Sequence, residues 1–135
     1  MYTHQTKIRV RYGETDQMGY MYYGNYAEFY EVGRVEMLRS LGMTYRSMEE
    51  DGIMMPVLEM RSRYLKPALY DEEITIKTIL DKMPGVKIHF RYEFYNESNE
   101  FIHEGETTLA FINMKKNRPC LPSDEFQNHL KEFFE

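Results

Sequence analysis

The sequence predicts an α+β domain in which a five-stranded antiparallel sheet wraps around one long central helix, with a short helix near the C-terminal end. Three observations predict it. One extended stretch, Gly24 to Leu41, carries helical periodicity, and after residue 54 several segments alternate apolar and polar residues as strands do. The turns between those segments are too short for helical crossovers, which leaves antiparallel hairpins.

In chain order, the first strand is expected from Lys7 to Tyr12, with Ile8, Val10 and Tyr12 on one face and Gly13 ending it. A loop carrying Thr15, Asp16 and Gly19 then leads to the long helix, where Tyr26, Tyr30, Gly33, Met37 and Leu41 share a face that Phe29 and Leu38 widen. Such a helix would run about 27 Å at 1.5 Å per residue, enough to cross a sheet. Gly33 would let its backbone approach closely at the middle, and Gly42 is placed to stop it. Glu28, Glu31, Glu36 and Arg39 form the polar side; Glu31 is either a second site carboxylate or the ion-pair partner of Arg34.

Thr44 to Asp51, closed by Gly52, reads as a short helix. Strands are expected at Met55 to Leu65, Glu72 to Leu80, Val86 to Phe94 and Phe101 to Met114. Lys66-Pro67-Ala68, Met83-Pro84-Gly85 and Asn96-Glu97-Ser98-Asn99 break them, and Gly105 is expected to mark a bulge. Ser123 caps a last helix with Phe126, Leu130 and Phe133 on one side, entered through Pro119 and Pro122. With no repeat or linker, residues 1–135 are read as one domain.

The 42% hydrophobic content suits one core, and a net charge of -5 with 17 basic residues scattered among 22 acidic ones argues against nucleic-acid binding. No apolar run approaches the roughly 18 residues of a membrane span, and the first residues lack the pattern of a signal peptide, so a cytoplasmic protein is expected. The lone Cys120 fits a reducing compartment. A wide sheet with exposed edges and a modest core predicts pairing with further copies of the chain.

Among groups able to do chemistry, Asp16 stands out because the loop holds it near a helix start, where unpaired N–H groups attract negative charge and can polarise a carbonyl. Read by itself, Asp16 is more readily a turn or capping residue. His4, His89, His103 and His129 show no metal-ligand spacing, with His89 and His103 expected at the surface. Cys120 has no neighbouring base, and the eight glycines form no phosphate loop, so neither metal nor cofactor is expected.

The run Tyr12-x-x-Thr15-Asp16-x-x-Gly19-x-x-Tyr22-x-x-Asn25-Tyr26, followed by Glu31-x-x-Arg34, resembles the signature of hotdog-fold acyl-CoA thioesterases of the 4-hydroxybenzoyl-CoA thioesterase-like family. A second block, Arg63-Tyr64-Leu65-Lys66-Pro67-Ala68-x-Tyr70-Asp71, resembles the strand-turn-strand that follows the helix in that family. The resemblance implies a hotdog fold, a dimer or tetramer with its sites at the dimer interface, and thioester hydrolysis. One position departs from it: many relatives carry a His close before Asn-Tyr, where this chain reads Tyr22-Tyr23-Gly24.

On this reading Asp16 is the general base or nucleophile, and the backbone N–H groups of Tyr23 and Gly24 are the candidate donors to the thioester oxygen. Met18, Tyr22, Asn25 and Tyr26 are candidate pocket residues, while Arg61, Arg63 and Lys66 are candidates for the phosphates of coenzyme A. Three alternatives stay open. They are an acyl carrier protein thioesterase, a hydratase or dehydratase of the same fold, and a non-catalytic acyl-CoA binding module.

Overall fold

The computed structural model describes residues 1–134. Strand β1 (Tyr2–Arg9) is followed by a 3-10 turn (Tyr12–Glu14), a second 3-10 turn (Tyr23–Asn25) and helix α1 (Tyr26–Ser40). Helix α2 (Tyr45–Glu50), a short β2 (Ile53–Met54) and the long strands β3 (Val57–Tyr64), β4 (Glu73–Leu80), β5 (Lys87–Tyr95) and β6 (Phe101–Ala110) come next. β7 (Ile112–Asn113), β8 (Arg118–Pro119), α3 (Asp124–Leu130) and a 3-10 turn (Lys131–Phe133), where Phe133 falls outside the helix expected to carry it, follow among the described residues.

The five long strands form one antiparallel sheet in the order β1-β4-β5-β6-β3. Inward-facing Ile74 and Ile76 of β4, Ile88, Phe90, Tyr92 and Phe94 of β5, and Leu109 of β6 are buried against the helix side. Helix α1 turns Tyr26, Phe29, Tyr30, Gly33, Arg34, Met37 and Leu38 inward, the i, i+3, i+4, i+7 stripe of a core-facing helix. At Gly33 the helix comes so close to β4 that a Cβ would lie 3.1 Å from Ile76 Cγ2 and closer still to the Thr78 hydroxyl. Gly42 ends the helix at φ +82°, where its N–H and that of Met43 bond back to Arg39 and Leu38 carbonyls. Thr44 and Ser123 cap α2 and α3 through the N–H groups of Ser47 and Phe126.

Four expectations need correction. The first strand lies earlier than Lys7 to Tyr12: β1 pairs with β4 from Tyr2 to Arg9, and Tyr12 is exposed in the 3-10 turn that follows. The last strand breaks at buried Phe111, whose carbonyl accepts from Cys120, and the chain beyond it joins a separate three-stranded sheet, β2-β7-β8. Gly105 marks no bulge. It pairs in register with Ser62 and Tyr92, and the irregularities lie at Val57/Glu59 and Phe94/Tyr95. Its lack of a side chain makes room for Tyr30, since a Cβ there would overlap the phenol and lie 2.6 Å from Cε1. Arg34 forms no pair with Glu31; it is buried, donating to the hydroxyls of Tyr45 (3.0 Å) and Tyr92 (3.2 Å).

The helix packs chiefly on β1, β4 and β5, so β3 is left as a nearly bare edge on which Val57, Leu58, Met60 and Tyr64 are all about half-exposed.

The Gly105 contact makes an expectation about stability. Gly105→Ala should destabilise the fold by about 3 kcal/mol, because the added methyl meets a ring that buried neighbours hold in place. Gly85→Ala, with nothing within 4 Å of the new Cβ, should change it little. Urea midpoints of the two variants check this; similar midpoints would mean that Tyr30 moves aside freely.

Candidate functional site

The site is built where the end of β1 meets the start of α1. The carbonyl of Glu14 accepts both the Tyr22 N–H and the Asn25 side-chain amide, each at 2.8 Å. The buried Glu14 carboxylate accepts from the Arg11 backbone N–H at 2.7 Å and from its guanidinium at 3.1 Å. That bond raises the Arg11 guanidinium above its ordinary value. Glu14 is a structural residue that no motif had singled out, although its place three residues after Arg11 is a capping-box spacing.

Between these ties the chain closes on itself, with Thr15 bridging to Met21 and the Asp16 N–H donating to the Tyr20 carbonyl at 2.9 Å. Asp16 Oδ1 accepts from the N–H groups of Met18 (2.8 Å) and Tyr20 (3.3 Å), and Gly19 supplies the φ of +76° that the tight return needs. The exposed carboxylate is thus anchored through one oxygen, and no bond among the described residues engages the other. The turn-residue reading of Asp16 is therefore part of the structure, and a catalytic role is compatible with it.

The same loop rests on the second motif block. Met21 N–H donates to the Ala68 carbonyl at 2.7 Å, Tyr20 bridges to Leu69, and the Tyr12 and Tyr70 rings meet edge to face at 5.6 Å. Tyr64, at the end of β3, reaches the Tyr23 carbonyl with its hydroxyl at 3.4 Å. Two sequence blocks separated by the long helix are therefore one surface.

Tyr23 and Gly24 open the 3-10 turn that leads into α1, and their N–H groups have no acceptor among the described residues. Gly24 leaves room for the Tyr22 ring, which a Cβ would approach within 2.6 Å and which also lies 4.6 Å from the ring of Tyr23; exposed Tyr22 would have to turn to admit a side chain there. Of the candidate pocket residues, Met18 and Tyr22 are exposed, whereas Asn25 acts as the strut to Glu14. Tyr26 is buried, and burial pushes its phenol up to about 12.

Arg61 and Arg63 fall on the face of β3 opposite Ser62. There they pair with Glu106 (3.5 Å) and Glu104 (3.4 Å) and line an open groove of about 310 Å³ with Arg91 and Glu93. Lys66 pairs with Glu100. Asp16, Tyr22, Tyr23 and Gly24 thus lie along the loop and turn that join β1 to α1, while Arg61 and Arg63 lie on the other face of the sheet. Among the described residues, no three His, Cys, Asp or Glu side chains converge as metal ligands.

His103 is not at the surface. It is fully buried, stacked at 4.1 Å on Tyr26 and edge-on to Tyr64 at 4.8 Å, with Nε2 bonded to the Tyr30 hydroxyl and Nδ1 without a partner. Burial lowers its pKa from 6.5 to about 4, so the ring is neutral. Period-2 alternation carries the signal, because His103 shares the inward face of β6 with buried Gly105, Thr107 and Leu109.

Five antiparallel strands over one long helix, with a closed loop that anchors a carboxylate between the first strand and the helix start, define a hotdog-fold protein. A family model described as the thioesterase-like superfamily matches residues 10–130. The putative acyl-CoA thioesterase YneP of Bacillus subtilis is 33% identical over 119 residues, 88% of this chain and 86% of that protein. The acyl-CoA thioester hydrolase YbgC of Escherichia coli is 30% identical over 112 residues, 83% and 84% of the two chains. The crystal structure of a DHNA-CoA thioesterase from Staphylococcus aureus superposes with a TM-score of 0.93 at 32% identity, covering 98% of this chain and 91% of that one. The chain belongs to the thioesterase-like superfamily and is a hotdog-fold thioesterase.

The buried ring predicts a pH dependence of stability. Because the folded pKa of His103 lies below the unfolded one, the unfolded state takes up the proton first as pH falls. The contribution is complete above pH 6.5 and fades toward pH 4, a loss of about 3 kcal/mol at ~1.4 kcal/mol per unit. His103→Phe should flatten the stability profile across that window in urea titrations, and an unaltered profile would assign the dependence to other groups.

Proposed function

We propose that this protein hydrolyses an acyl-CoA thioester to the free acid and CoA, with Asp16 as the reacting carboxylate and the N–H groups of Tyr23 and Gly24 as donors to the carbonyl oxygen. The observation that carries this is a carboxylate held by one oxygen in the loop that leads directly to two partnerless amides at the start of the long helix. Each donor to a developing oxyanion contributes about 3 kcal/mol, roughly a hundredfold in rate. The relatives' names, acyl-CoA thioesterase and acyl-CoA thioester hydrolase, support the substrate class.

Asp16 acts as a general base on water. Tyr23 stands in the stretch where many relatives carry His, and the described bonds bring no imidazole to Asp16, so a covalent intermediate would lack a second base to activate the water that opens it. Met18 and Tyr22 serve as exposed pocket wall. An acyl carrier protein is the less favoured thioester donor. Such an acidic partner needs free cations, whereas Arg61, Arg63 and Lys66 already face glutamates in a chain of net charge -5.

The assembly is a homodimer or a homotetramer. The support is β3, an edge strand with apolar side chains bare on it and unpaired backbone groups along it.

Asp16→Asn keeps the turn but removes the charge. Turnover of acyl-CoA esters, followed with a thiol-trapping reagent, should fall at least about a hundredfold with KM little changed. A single turnover in heavy-oxygen water should label the acid and leave the Asp16 peptide unlabelled; label on Asp16 would make it the nucleophile. Undiminished turnover in the variant would leave the protein without a catalytic Asp16. Sedimentation at micromolar concentration should show at least a dimer, and an active monomer would place the whole pocket within one chain.

A further inference from the structure

We propose that Tyr64 is a positioning residue for thioester hydrolysis: its hydroxyl holds and polarises the Tyr23–Gly24 peptide, whose N–H is one of the two oxyanion donors. The inference rests on the assignment of Gly24 N–H proposed above, and it names the group that tunes it.

The Tyr23 carbonyl and the Gly24 N–H belong to one planar peptide unit. That carbonyl accepts two hydrogen bonds, from the Tyr26 N–H within the 3-10 turn and from the Tyr64 hydroxyl at 3.4 Å. A donor at the carbonyl oxygen draws electron density through the amide and makes the N–H on the other side a better donor, the cooperativity of hydrogen-bond chains. It also fixes the plane of the peptide, and so the direction of the N–H, which a 3-10 turn at a helix start otherwise leaves soft. The long distance is that of a site without substrate, where bonds of this kind are commonly longer than in the reacting complex.

The ring that delivers the hydroxyl is itself held. Tyr64 stands edge-on to Tyr26 at 5.0 Å, with perpendicular planes, and to His103 at 4.8 Å. Tyr26 in turn stacks on His103, and His103 is bonded through Tyr30 to Ser62, two residues before Tyr64 on the same strand. Tyr64 thus carries its phenol across from β3 to the helix start on a platform of buried rings, although half of its own surface is exposed. A residue kept only for packing would have no use for the hydroxyl, and Phe would fill the same place.

The test separates this role from the assignment beneath it. In wild-type protein, Tyr64→Phe should lower kcat for benzoyl-CoA about fivefold with KM and thermal midpoint unchanged. For the spectroscopic arm, benzoyl-CoA carrying carbon-13 at the carbonyl is bound at saturation to Asp16→Asn protein, and its carbonyl stretch is read by infrared difference. The band should move to lower frequency than in water, and Tyr64→Phe in the same background should reverse part of that shift. A shift that Tyr64→Phe leaves intact would overturn the proposal while keeping the Gly24 donor. A carbonyl band unshifted with Tyr64 present would remove the oxyanion assignment, and the role of Tyr64 with it.

Discussion

One carbonyl oxygen, that of Glu14, decides where the long helix begins. Two donors from the far side of the loop, the Tyr22 N–H and the Asn25 amide, converge on it at 2.8 Å. With the end of β1 and the start of α1 thus pinned together, the residues between them can only form a closed loop, and Asp16 must fold back on Met18 and Tyr20. The cost of burying the Glu14 carboxylate, several kcal/mol for an unpaired ion, is offset by bonds from Arg11 to both of its oxygens. Everything distal inherits this geometry: the helix crosses the sheet at the height where Gly33 meets Thr78, and Tyr26 and Tyr30 fall over β6.

The second organising feature is a layer of rings. Because α1 lies over β1, β4 and β5, the space above β6 and β3 needs long side chains that stay rigid, and Tyr26, Tyr30, Tyr64, Phe94 and His103 occupy it with centroids 4.1 to 5.8 Å apart. Gly105 is the cavity into which one of them projects. Rings lose little conformational entropy on ordering, so a polar tip carried on a ring is held more accurately than one on a flexible chain. The buried network on the other flank follows the same rule. There Arg34 is held by two phenols, and the hydroxyl of Tyr92 reaches Thr107 at 2.6 Å. Stiff elements thus carry the polar tips, and the Asp16 loop is closed by its own hydrogen bonds.

Much of this was legible without coordinates. The 3.6-residue stripe of α1 and the period-2 runs of β4 and β5 are consequences of one face being buried, and burial writes itself into composition at fixed spacing. Gly33 as a close approach, Gly42 as a helix stop and Ser123 as a cap follow from local stereochemistry, which each residue type carries with it. Asp16 and the helix-start amides were legible for the same reason, since a turn residue before a helix is a local arrangement.

The tertiary structure alone decided the rest. That Gly105 yields to a tyrosine 75 residues earlier, that Arg34 turns away from Glu31 toward Tyr45 and Tyr92, and that His103 is neutral all depend on partners remote in the chain. The reach of Tyr64 to the Tyr23 carbonyl, and the separation of Arg61 and Arg63 from Asp16, depend on which strand becomes the sheet edge. Spacing in a sequence records the period of an element and the face it buries. It does not record which distant side chain fills the space across from that face, because the packing energy belongs to the pair and either partner alone is compatible with many others.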